Sequence, residues 1–258
     1  MGFFDKLFGK KDTTANVNAT ATTSTANVTP TAAPTMKIDM SKHTENLNTV
    51  LIDMSKSGKT NMTNHVARVA LAMDYSGSMS NMFRNGSVQD VITRLLPIAL
   101  KFDDNGELES WLFSEGQKKL SPVTASNYES YVRNVMMRSG MDMGGTNYAP
   151  VLKDMVKYYK DKYPSETPSF IMFITDGDNW DETATNAVIR ELSNYNIFVQ
   201  FVGIGYGSSF HYLKELDNMS GRAHDNTGFI SVKDMNKLDD QQLYTEMLRQ
   251  YNAWLNNK

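Results

Sequence analysis

Two short runs of side chains constrain this chain more than anything else in it. Val69-Ala70-Leu71-Ala72-Met73 and Ser169-Phe170-Ile171-Met172-Phe173-Ile174 are apolar almost without interruption, and each runs into a polar loop, Asp74 directly after the first and Thr175-Asp176 after the second. Strict alternation would mark a strand with one wet face. An unbroken apolar run of this length marks a strand covered on both faces, as in a parallel sheet held between helices. The intervening patterns agree. Val88 to Phe102 places apolar residues at 88, 91, 92, 95, 96, 98, 99 and 102, a helical stripe wide enough to cover a sheet face. Further helices are predicted over 128–137, 148–159, 182–195, 210–219 and 241–255, and further strands over 108–113, 197–202 and 228–232. Strands alternating with helices in this way predict an α/β fold, a doubly wound, mostly parallel sheet flanked by helices. In such sheets ligands gather outside the carboxyl ends of the strands.

The first quarter of the chain reads differently. Residues 1–11 put Phe4, Leu7 and Phe8 on one helical face beside Lys6, Lys10 and Lys11, a short amphipathic tip suited to a membrane surface or a partner, or else a frayed terminus. Residues 12–35 are almost wholly Thr, Ala, Asn, Val, Ser and Pro, with nothing to bury, and are predicted to be a disordered linker. Residues 36–65 carry an internal echo, Ile38-Asp39-Met40-Ser41-Lys42 and Ile52-Asp53-Met54-Ser55-Lys56. The alternation in both copies predicts two short strands, a β extension ahead of an α/β domain spanning 66–258.

Composition removes several classes of function. With 26 basic and 29 acidic residues the chain has a net charge of −3 and no basic stripe of the kind nucleic acid requires. There is no cysteine, so thiolate metal sites and disulfides are excluded, and a cytoplasmic location is the expectation. Four histidines, His43, His65, His211 and His224, lack the spacing of a zinc hydrolase. No apolar run approaches the ~20 residues of a membrane span.

What remains is the chemistry at the strand ends. Asp74, Ser76 and Ser78 fall at alternate positions with Gly77 between them, so a carboxylate and two hydroxyls can face one point. Loops after adjacent central strands lie together, which brings Asp176 to the same place, and the Gly144-Gly145-Thr146 loop can add a third hydroxyl. All-oxygen donors of this kind suit a hard cation, Mg²⁺ first, with Mn²⁺ or Ca²⁺ as substitutes. The same Ser and Asp residues are also ordinary helix caps.

The set resembles the metal-ion-dependent adhesion site (MIDAS) of von Willebrand factor A (vWA) domains: D-x-S-x-S at Asp74 to Ser78, the lone Thr146, and T-D-G at Thr175 to Gly177. The resemblance implies direct coordination by Ser76, Ser78 and Thr146, with Asp74 and Asp176 acting mostly through metal-bound waters. It also implies an open metal position for an Asp or Glu supplied by a partner protein. Arg94-Leu95-Leu96-Pro97, Gly145-Thr146-Asn147-Tyr148-Ala149-Pro150 and the 243–255 tail are similar to the vWA domains of TerF-type tellurium-resistance and stress proteins. The I-D-M-S-K echoes are similar to the opening strands of TerD-type domains, although the segment is too short to hold those domains' calcium loops. Asp178, Asp181 and Glu182 are expected on the rim of the site with Trp180.

Enzyme readings meet specific obstacles. A haloacid-dehalogenase phosphatase needs a second Asp where Ser76 stands, a serine hydrolase needs a G-x-S-x-G frame, and Gly203-Ile204-Gly205-Tyr206-Gly207 is not a dinucleotide fingerprint. A metal-dependent protein-interaction module is therefore the first expectation, and a metal-dependent hydrolase or nucleotide-processing enzyme the alternative.

Overall fold

The first apolar run becomes β1 (Arg68–Asp74) and the second β4 (Ser169–Thr175), paired in parallel at the centre of a six-stranded sheet of order β3-β2-β1-β4-β5-β6. The computed structural model describes residues 40–162, 166–205, 210–233 and 237–257. Beyond β1 lie β2 (Glu109–Phe113) and the short antiparallel β3 (Gln117–Lys119); beyond β4 lie β5 (Ile197–Ile204) and β6 (Thr227–Val232), both parallel. Five of the six strands are thus parallel, and the chain reverses its direction of travel across the sheet between β1 and β4. That reversal leaves a crevice at the carboxyl ends of these two strands.

Successive residues of a buried strand point to opposite faces, and the two cores divide accordingly. Val69, Leu71 and Met73 of β1 join Phe170, Met172 and Ile174 of β4 in one core, which is covered by α1 (Met40–Ser57), α3 (Ser87–Phe102) and α7 (Asp240–Asn256). Ala70 and Ala72 join Ile171, Phe173, Trp111 and Phe113 in the other, covered by α4 (Ala149–Lys162), α5 (Glu182–Leu192) and α6 (His211–Asp217). Small residues on β1 matter here. The rings of Phe113 on β2 and Phe173 on β4 come within 4.5 Å across the intervening strand, which Ala72 is short enough to allow. A short helix, α2 (Ser80–Arg84), connects β1 to α3.

Residues 40–57 correct the sequence-based expectation of strands over 36–65. The second I-D-M-S-K copy lies inside α1, whose buried residues Leu47, Val50, Leu51 and Met54 recur at helical spacing while Ile52 points outward, 46% exposed. Alternation across five residues is also compatible with a helix, and packing on α3 and α7 decides between the two. The helix is pinned at both ends. His43 Nδ1 lies 2.6 Å from Asp240 Oδ2 and Asn46 donates to the same oxygen, while the backbone N–H of Thr60 donates to Asn256 Oδ1 at 2.8 Å. α1 therefore belongs to the body of the domain rather than to a separate extension. Residues 38 and 39 of the first copy, the tip over 1–11 and the linker over 12–35 lie outside the described residues. The helix predicted over 128–137 is instead a 3-10 turn at Tyr128–Ser130 followed by a π turn at Val132–Met136. No helix among the described residues is long and apolar enough to cross a membrane.

Candidate metal centre

Asp74 is the last residue of β1 and is fully buried. Its Oδ1 accepts the backbone N–H of Ser76 at 2.7 Å, and its Oδ2 accepts the Thr175 hydroxyl of β4 at 2.7 Å. The carboxylate is therefore fixed by both strands that form the crevice. From there a chain of short polar contacts runs to the surface: Ser76 Oγ lies 3.0 Å from Ser78 Oγ, and Ser78 Oγ donates to Asp176 Oδ1 at 2.8 Å. Asp74, Ser76, Ser78 and Asp176 thus come together as the sequence predicts.

Thr146 arrives by another route. Its loop is joined to the first by Gly77 N–H donating to Gly144 O at 3.0 Å and to the β4–α5 loop by Trp180 N–H donating to Thr146 O at 3.0 Å. The Thr146 hydroxyl makes no hydrogen bond to the other four residues, so what the structure establishes for it is the placement of its loop beside them. Glu115, in the β2–β3 turn, accepts the Gly145 N–H at 3.2 Å.

Burial pushes the Asp74 carboxyl up to about 6; hydrogen bonds from Thr175 and Ser76 counteract this and the nearby Asp176 charge adds to it. Asp176 is raised in the same sense, chiefly by burial, against the hydrogen bond from Ser78. Asp74 has no ion-pair partner among the described residues, so two neighbouring acids sit in a cleft with no protein cation beside the deeper one. Cation binding is the chemistry such a pair favours. The donor set, two carboxylates and serine hydroxyls, is all oxygen and fits a hard ion.

Two residues outside the predicted ligand set support the site. Tyr148 is fully buried and its hydroxyl donates to Gly177 O and reaches Thr175 Oγ1 at 3.3 Å, which braces the loop holding Asp176. Asp181, expected on the rim, turns inward instead. Its two oxygens accept the backbone N–H groups of Tyr148 (2.9 Å) and Ala149 (2.8 Å), satisfying donors at the start of α4. An acidic residue 33 positions away in sequence cannot be matched to a helix start from local pattern alone.

The arrangement of strands and loops is that of a vWA domain, and the family model described as "vWA found in TerF C terminus" matches residues 66–258. The chain belongs to the vWA-TerF-like family. It is 37% identical over 199 residues to the uncharacterized protein YcbR of Bacillus subtilis (strain 168), covering 76% of this chain and 81% of that one. Among solved structures it is similar in fold to an aerotolerance-related membrane protein from Bacteroides fragilis, with a TM-score of 0.53 at 15% identity over 72% of this chain and 99% of the other. It is also similar to a von Willebrand factor type A protein from Catenulispora acidiphila, with a TM-score of 0.50 at 17% identity over 73% of this chain and 42% of the other. The chain spans less than half the length of several solved structures it matches.

Proposed function

We propose that this vWA domain is a metal-dependent protein-interaction module. Asp74, Ser76, Ser78, Thr146 and Asp176 hold Mg²⁺, and an Asp or Glu from a partner protein completes its coordination. The observation that carries the reading is the buried Asp74 carboxylate, raised to about 6 and without an ion-pair partner among the described residues, at the head of a hydrogen-bonded path through Ser76 and Ser78 to Asp176. When bound, the ion supplies a Lewis-acidic position for an incoming carboxylate. The chain's own residues do the rest. Asp74 and Asp176 balance two positive charges, Thr175 and the Ser76 N–H orient Asp74, and Tyr148 keeps the Asp176 loop in place.

Interaction rather than catalysis is favoured by the surroundings of the two serines. Their hydroxyls bond to each other and that of Ser78 to Asp176, with no histidine or lysine among the described residues hydrogen-bonded to either as a base. The alternative, a metal-dependent hydrolase or nucleotide-processing enzyme, predicts turnover of generic phosphoesters. Membership of the TerF-like family supports a role in a tellurium-resistance type of stress response, and the absence of cysteine is compatible with a cytoplasmic setting. The test is calorimetric titration with Mg²⁺ of the wild type, Ser78→Ala and Thr146→Ala, with affinity capture in the presence and absence of chelator. Loss of Mg²⁺ binding in Ser78→Ala together with chelator-sensitive capture supports the module; Mg²⁺ affinity unchanged in both variants would refute it.

A further inference from the structure

Trp180 is 75% exposed, whereas Trp111 and Trp254, the other two tryptophans, are buried. It is nevertheless held in place. Its backbone N–H donates to Thr146 O at 3.0 Å, and its ring lies so close over Gly145 that a Cβ there would fall 2.3 Å from Cζ3. Its ring pairs with no other aromatic or cationic group among the described residues. A large indole fixed at the rim of a site with one face covered by a glycine is a platform.

The charge around it says what the platform is for. The segments 74–80, 114–116, 139–148 and 175–182 contain seven carboxylates and no Lys or Arg. Lys118, tied to this region, donates to Ser139 O. A divalent ion would offset two of the seven, leaving Glu115, Asp142, Asp178 and Glu182 exposed on these segments. A partner presenting carboxylates alone would meet like charge. A partner that also presents a cation meets opposite charge and a ring face on which a guanidinium can stack.

Resting on the metal-bridge reading, we propose that Trp180 selects the partner: the module takes a protein segment in which the metal-binding Asp or Glu is flanked by an arginine, and the Trp180 ring receives that arginine. The acidic rim disfavours segments without it.

The experiment uses the full chain and an array of hexapeptides built from Gly and Ser with one fixed Asp, flanked by Arg, norleucine or Glu, in saturating Mg²⁺ and in EDTA. The wild type is expected to retain Arg-flanked peptides roughly threefold to tenfold better than norleucine-flanked ones, and Glu-flanked ones least. Trp180→Ala, a surface change, should bring the Arg and norleucine peptides level while keeping retention sensitive to EDTA. Trp180→Phe should keep part of the preference. An Arg preference that survives Trp180→Ala overturns the proposal. A Trp180-dependent Arg preference insensitive to EDTA would sink the metal bridge and leave the role of the ring standing, whereas no retention of any Asp peptide by the wild type overturns both.

Discussion

Replacing Asp74 by Asn separates what the carboxylate does for the fold from what it does for the ion. Its folded-state carboxyl titrates near 6 against an ordinary value of 3.8. The folded state thus binds the proton more tightly than the unfolded chain, and without metal, stability falls as pH rises from 3.8 to 6 and is flat on either side. The shift corresponds to about 3 kcal/mol at most. Asn removes that penalty. Its Oδ1 can still accept the Ser76 N–H, and its amide can donate to Thr175 Oγ1, which keeps Gly177 O as an acceptor at 3.1 Å. Loss of two charge-assisted bonds takes back about 1 to 2 kcal/mol. In EDTA at pH 8, Asp74→Asn should therefore be more stable than wild type by about 1 to 2 kcal/mol, with the gain vanishing or reversing near pH 4. Saturating Mg²⁺ should reverse the order at pH 8, because only the wild type is stabilised by binding. Urea unfolding at pH 4, 6 and 8 with and without Mg²⁺ measures all of this. A variant less stable than wild type in EDTA at pH 8, or one that Mg²⁺ stabilises as much as wild type, would show that Asp74 is not a strained metal ligand.

Leu47→Ala, at a fully buried position of α1, should cost about 2 to 4 kcal/mol by denaturant unfolding; a loss under about 0.5 kcal/mol would show that α1 is not part of the core. Asp240→Ala should cost about 3 kcal/mol, because Arg94, whose side chain is 8% exposed, loses its 2.8 Å ion pair. Burial pushes the Asp240 carboxyl up, but hydrogen bonds from His43 and Asn46 and the charges of His43 and Arg94 outweigh this and hold it below the ordinary value. The wild type should accordingly lose this contribution as pH falls below 4, and Asp240→Ala should not. Gly145→Ala should displace the Trp180 ring, seen as a shift in tryptophan emission, with a stability loss of no more than about 1 kcal/mol because the ring can swing into solvent.

The parallel core was legible because a strand buried on both faces must be apolar throughout, which Val69–Met73 and Phe170–Ile174 satisfy and a surface strand would not. β3 was not. Gln117-Lys118-Lys119 is polar because it forms an edge, and it exists only through the tight turn in which Ser114 N–H donates to Gly116 O at 2.8 Å. α1 is hidden in the sequence for a related reason. Its buried positions number four in eighteen residues, too thin a stripe to overrule a five-residue echo until α7 is seen lying against it. At the site, Asp74, Ser76, Ser78 and Asp176 follow from where two strands end, whereas Tyr148 and Asp181 act on loops far away in sequence and leave no local pattern.

Gly144 and Gly145 illustrate how one residue type supports different physical readings. Two glycines before Thr146 suggest a hinge, but neither has the positive φ that would demand glycine, and four hydrogen bonds donated by main-chain N–H groups tether the loop: Gly77 to Gly144, Gly145 to Glu115, Asn147 to Ser114 and Trp180 to Thr146. The demand at Gly145 is steric, since the Trp180 ring occupies the space a methyl would take. Thr146 and Trp180 are in turn joined through the main chain, so a backbone displacement at residue 146 either breaks the Trp180 N–H bond or carries the backbone of residue 180 with it. Backbone shifts of the Thr146 loop and of the segment that carries Trp180 are therefore coupled, and a partner that moves one of them biases the other.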